Sequence, residues 1–212
     1  MPFPKKTTVF LLSSFNPDSD FLDEISLSGA SVLMITTATL GEGRTVDPED
    51  TAPLEERGAV VHLCDLRTHT EEEFAQLVDV SDIVWICGGN TFVLLDAMNR
   101  VNFKAALEKR GEERPLTCVG ESAGAIIFGR GIEHVGTLDD PTQAPNLESF
   151  ESLKWIDFDL VPHWEETKYG LGEALKSWIT TVNPQDYFIL HETSHLKATD
   201  ENITLFGPEV SL

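Results

Sequence analysis

Leu116-Thr-Cys-Val-Gly-Glu-Ser-Ala-Gly-Ala-Ile-Ile-Phe128 is the stretch that decides the fold. An apolar run suited to a buried strand, Leu116 to Val119, breaks at Gly120 and resumes as the helix-compatible Ala125 to Phe128. A Gly-x-Ser-x-Gly turn in that setting puts its serine on a sharp strand-to-helix elbow. Glycines at 120 and 124 remove side chains where strand and helix come close, and the amide of Ala123 would face negative charge developing near Ser122. The bland alternative is a small-residue turn in which Ser122 is only a helix cap.

Upstream, the same alternation repeats. Thr8–Ser13, Ser31–Thr36, Ala59–Leu63 and Asp82–Ile86 are short β-branched runs whose continuous apolarity predicts strands covered on both faces. Phe92, Leu95 and Met98 follow the capping pair Asn90-Thr91, and Phe74, Leu77 and Val78 follow the acidic turn Glu71–Glu73, so helices intervene. Strand and helix in turn predict a three-layer α/β fold around a mainly parallel sheet, read as one domain over residues 1–212. Later, residues 136–152 read as a long polar loop, and Phe158–Val161, Tyr187–Leu190 and Ile203–Phe206 as strands. Leu171, Ala174, Leu175 and Trp178 mark a further helix.

Composition narrows the class. Thirty-six acidic against 15 basic residues give a formal charge of −21, which would repel a phosphate backbone or an anionic membrane. Nucleic acid and membrane are therefore not expected partners, and the acidity suits either solubility or high salt. No apolar run reaches the ~20 residues of a membrane span, and the N-terminal stretch lacks a cleavage signal, so a cytoplasmic protein is expected. Cys64, Cys87 and Cys118 lie in or beside strand runs without metal-ligand spacing and read as buried thiols; no metal or organic cofactor is expected.

Serine needs a base. Of six histidines, His62 lies in a strand and His69 in a polar loop, whereas His163 follows the strand ending at Val161 and is either a base at the sheet edge or a partly buried structural histidine beside Trp164. Glu165 and Glu192 compete as the acid that orients it: the first shares a face with His163 at i, i+2, and the second follows the strand ending at Leu190. Cys87-Gly-Gly-Asn-Thr91 ends another strand on the same edge, which makes Gly88 or Gly89 a candidate second oxyanion donor.

Taken in order, Gly88-Gly-Asn-Thr-Phe92, Gly120-Glu-Ser-Ala-Gly-Ala125, Pro162-His163 and Leu190-His-Glu192 resemble the serine dipeptidase family typified by dipeptidase E, peptidase family S51. That resemblance implies a class I glutamine amidotransferase-like fold and a Ser122, His163, Glu192 triad. It further implies oxyanion donors at Gly89 and Ala123, substrate contacts at Gly88 and Asn90, and hydrolysis of short peptides, dipeptides with N-terminal aspartate in particular. A homodimer is compatible with it.

Two departures bear on specificity. No arginine follows Arg130, and the segment beyond His163 offers only Lys168 and Lys176 as cations. Glu121 stands where the family often carries an aromatic, and either disfavours an anionic substrate or points away from it. Other readings are an amidase of the same family acting on isoaspartyl peptides or a cyanophycin-like polymer, a catalytically silent binding protein of the same fold, and a glutaminase-like subunit.

Overall fold

The computed structural model describes residues 3–17, 20–166 and 171–210. Its strands are β1 (Thr7–Leu12), β2 (Ser31–Ile35), β3 (Val60–Cys64), β4 (Ile83–Ile86), β5 (Leu116–Glu121), β6 (Asp159–Val161), β7 (Tyr187–Ile189), β8 (His195–Ala198) and β9 (Ile203–Phe206). Its helices are α1 (Thr37–Gly41), α2 (Pro48–Glu55), α3 (Glu71–Val80), α4 (Thr91–Arg100), α5 (Phe103–Glu113), α6 (Ala123–Ile126) and α7 (Leu171–Ile179). Seven strands form one sheet in the order β3-β2-β4-β5-β1-β8-β9. Neighbours from β3 to β1 are parallel, and β8 and β9 extend the sheet antiparallel, as the mainly parallel α/β reading anticipated.

Apolar residues run on without alternation because both faces of the sheet are covered. In β1, Val9 and Leu11 enter one core cluster while Phe10 and Leu12 enter another; in β4, Val84 and Ile86 part in the same way from Ile83 and Trp85. The first cluster packs on α3, α4 and α5 through Phe74, Leu94, Met98, Phe103 and Leu107, and the second on Phe21, Leu22 and Leu54. Three layers follow.

β3 departs from the expectation of cover on both faces. It is an edge strand, and Val60 and Leu63 are 55% and 54% exposed. β6 and β7 pair only with each other, so Phe158–Val161 adds nothing to the main sheet. The 136–152 stretch is largely irregular, as expected, but it holds a 3-10 turn at Pro141–Gln143 and is closed at its base by a bridge between Gly131 and Glu151.

Register positions the site. Leu12 pairs with Glu121 and Ile86 with Gly120, so the carboxyl ends of β1 and β4 flank the end of β5. Such an edge is where open α/β sheets bind ligands.

Candidate active site

Ser122 has φ 51° and ψ −115°, a conformation that L-residues rarely adopt. Its amide donates to the Leu12 carbonyl at 3.0 Å, which ties the turn to β1. A Cβ at Gly120 would overlap the Gly124 carbonyl, and one at Gly124 would overlap the Ile86 carbonyl. Both glycines are therefore demanded by the close passage of α6 over β5 and β4.

Ser122 Oγ lies 2.7 Å from Nε2 of His163. His163 itself has φ 63°, and its amide donates to the buried Ser13 hydroxyl at 2.9 Å. On the far side of the ring, Nδ1 is 3.4 Å from Oε1 of Glu192, long for a charge-assisted hydrogen bond. The other carboxylate oxygen accepts from the Ser14 hydroxyl at 2.7 Å. Burial alone would raise the Glu192 carboxyl, but the His163 ring beside it and the Ser14 hydroxyl together hold it below its ordinary 4.5.

Of the two competing glutamates, Glu192 is the one beside His163. Glu165 turns elsewhere: one oxygen is 3.6 Å from His191 Nε2 and the other accepts the Glu192 amide at 3.2 Å. The remaining histidines stand apart from Ser122. His134 contacts the Leu160 carbonyl at 2.8 Å, His195 contacts Glu24 at 3.0 Å, and His62 is exposed on the edge strand.

Opposite His163, a Cβ on Gly88 would stand 3.0 Å from the Ser122 Cβ, so glycine leaves the nucleophile open on that side. The Thr39 hydroxyl donates to the Gly88 carbonyl at 2.7 Å. In a trans peptide the following N–H points the opposite way, so Thr39 sets the direction of the Gly89 amide. Gly89 has φ 134°, and a Cβ there would overlap the Ala38 backbone. Ala123 begins α6 directly after Ser122.

Asn90 does not reach substrate space. It is 2% exposed, its Oδ1 accepts the Val93 amide at 3.0 Å, and its Nδ2 donates to the Asp140 carbonyl at 3.1 Å. The expected substrate contact is therefore corrected to a helix cap that also anchors the long loop, because the cap satisfies an otherwise orphaned donor. Lys168 lies outside the described residues. Lys176, the other cation read from this region, is on α7, 3.0 Å from Glu173, and does not line the cavity at Ser122.

That cavity holds about 990 Å³ and brings Ser122, His163, Gly88 and Gly89 together with Leu138 and Asp139 of the long loop. Its walls also include Arg44, whose Nε is 2.9 Å from Glu42. Burial raises the Glu121 carboxyl, against hydrogen bonds from Trp85, Cys87 and the Gly88 amide, and Asp50 adds to the rise. Asp139 is likewise raised by burial, although its Oδ2 accepts the Thr91 amide at 2.7 Å. Burial and the neighbouring Glu121 hold the Cys87 thiol well above 9.0, so it is not a competing nucleophile. All three cysteines are free and buried.

Sequence reasoning missed Ser13, Ser14, Thr39 and Arg44. The available signal was the position of Ser13-Ser14 just past β1, at the same carboxyl edge as Ser122. Nothing local in the sequence marks Thr39 or Arg44.

The sequence profile of Peptidase family S51 matches residues 12–206. An uncharacterized peptidase of Listeria monocytogenes is 32% identical over 165 residues, spanning 76% of this chain and 80% of that protein. Peptidase E of Shewanella putrefaciens is 37% identical over 146 residues, spanning 66% of this chain and 59% of its own. Among solved structures, a Listeria monocytogenes protein assigned provisionally to peptidase E superimposes with a TM-score of 0.81 at 24% identity, over 97% of this chain and 99% of that one. By the extent of these matches, the chain belongs to peptidase family S51.

Proposed function

We propose that this chain is a serine peptidase that cleaves short peptides through a Ser122, His163, Glu192 triad and an acyl-enzyme. The observation that carries this reading is the 2.7 Å contact between Ser122 Oγ and His163 Nε2, made by a serine held in a strained elbow. With Nδ1–H turned toward Glu192, Nε2 presents its lone pair to the hydroxyl, the tautomer a general base requires.

His163 takes the Ser122 proton as Oγ attacks the scissile carbonyl. The amides of Gly89 and Ala123 receive the resulting oxyanion, the first directed by the Thr39–Gly88 hydrogen bond. His163 then returns the proton to the leaving amine, and the acyl-enzyme remains. A water deprotonated by the same imidazole releases the acid, and Glu192 stabilises the imidazolium in each half-reaction. Ser14 and Ser13 act as positioning residues, on the Glu192 carboxylate and the His163 amide respectively.

The family resemblance adds a preference for N-terminal aspartate. A feature in its favour is Arg44 at the cavity wall, and the same arginine is already matched by Glu42.

Ser122→Ala is expected to lower kcat by about 10⁴-fold or more on any dipeptide that the wild type cleaves. A fluorophosphonate should label the wild type at Ser122 and leave His163→Ala unlabelled at the same exposure. Full hydrolysis by Ser122→Ala, or labelling elsewhere in the chain, would refute the mechanism.

A further inference from the structure

The cavity at Ser122 is strongly acidic. Glu42, Asp47, Asp50, Glu121, Asp139 and Glu166 line it, and Arg44 is the one lysine or arginine among its described lining residues. Arg44 is engaged with Glu42 at 2.9 Å. No lysine or arginine of the described residues lies within 4.0 Å of Glu121, Asp50 or Asp139. Their acceptors are met by uncharged donors instead: Asp50 by the Asp47 amide at 2.8 Å, Asp139 by the Thr91 amide at 2.7 Å, Glu121 by Trp85, Cys87 and the Gly88 amide.

Glu121 is the residue before the nucleophile. It shares its part of the cavity with Phe15, Met34 and Trp85, all of one core cluster. Phe15 and Trp85 meet edge to face with centroids 5.0 Å apart, forming an aromatic wall. Apolar sides beside a carboxyl match a long aliphatic stem that carries a positive head. An aspartate side chain would meet a second carboxyl at the same place.

A second observation points the same way. Thr91 is 1% exposed, lines the cavity, and holds the Asp139 carboxylate with its amide at 2.7 Å and its hydroxyl alongside. A carboxylate fixed in this way at the cavity wall is an acceptor for a substrate ammonium.

We propose that the preferred substrate residue, the one supplying the scissile carbonyl, is lysine or arginine, its cationic head received by Glu121 with Asp50 nearby and its α-ammonium by Asp139. This assignment rests on the peptidase reading above and replaces aspartate by the opposite charge. Glu121 is the specificity-determining residue.

Binding separates this idea from catalysis. Ser122→Ala protein would be titrated calorimetrically with lysyl-leucine, norleucyl-leucine and aspartyl-leucine at raised salt, where diffuse attraction to the chain's net charge of −21 is screened. Norleucine keeps the stem and lacks the charge. Lysyl-leucine is expected to bind about 10- to 100-fold tighter than norleucyl-leucine, as a desolvated charge-assisted contact would give. Adding Glu121→Gln should bring that ratio close to one, and Asp50→Asn, an exposed site on α2, should reduce it by less. Equal binding of lysyl and norleucyl peptides, tighter binding of the aspartyl peptide, or a ratio indifferent to both substitutions would overturn the proposal. Wild-type turnover on the same peptides tests the other reading. Lysyl preference in binding without Ser122-dependent cleavage would sink the peptidase mechanism alone; cleavage that favours norleucyl or aspartyl peptides would sink the cation pocket alone.

Discussion

The two halves of the candidate site are held in place by different physics. Ser122 comes from the parallel part of the sheet, and its position is set by exclusion: Gly120 and Gly124 lie where no Cβ fits, and β1 and β4 close on either side. His163 and Glu192 come from the irregular later chain, past the short β6 and β7, and polar contacts hold them, chiefly Ser13 to the His163 amide and Ser14 to the Glu192 carboxylate. A site anchored by packing on one side and by hydroxyls on the other should lose stability when the first is disturbed and alignment when the second is.

The largest effect should follow from filling the packed side. Gly124→Ala forces a methyl into the Ile86 carbonyl, backbone that is fixed in the sheet, and should cost about 3 kcal/mol or more in urea unfolding. A loss under about 1 kcal/mol would mean that α6 can ride away from β4, and the contrast drawn above would fail.

Ser13→Ala tests the polar side. It leaves the His163 amide without its acceptor in a buried place and should cost about 1–3 kcal/mol. Activity should fall further than this stability loss explains, through kcat with KM little changed, because His163 loses its alignment. An equal fall in both parameters would point to substrate binding instead.

Acidity gives the smallest and most specific signal. Glu192 is held below 4.5 in the folded chain, so its ionised form contributes stability that is fully present above that value and is lost as pH falls through the lowered one. The stability difference between wild type and Glu192→Gln should therefore shrink from neutral pH toward about pH 3. A constant difference across that range would show that Ser14 and His163 do not favour the charged carboxylate.

How much could be read in advance follows the same division. Strands β1, β2, β4 and β5 were legible because cover on both faces makes their sequences continuously apolar, α3 because its acidic first turn is local, and α4 because its capping pair and three-residue spacing are. α5 was hidden by its charge: only Phe103, Leu107, Arg110 and Gly111 are buried, and Arg110 is buried because its guanidinium donates to the Ser81, Arg114 and Pro115 carbonyls. β8 was hidden by His195, whose burial depends on Glu24 from far away in sequence. β3 looked like an interior strand because nothing in its own residues says that no strand follows it.

The sequence by itself determined the elbow. A serine between glycines, after an apolar run and before a helix, is a local pattern, and local sterics leave few other conformations open to it. Only the tertiary structure brought Glu192 rather than Glu165 to His163, gave Asn90 to a helix cap, and gathered Glu121, Asp50 and Asp139 around one cavity. Those outcomes depend on the ends of separate strands and loops meeting at one sheet edge, and contacts between residues so distant in the chain leave no period or spacing in the sequence to be read.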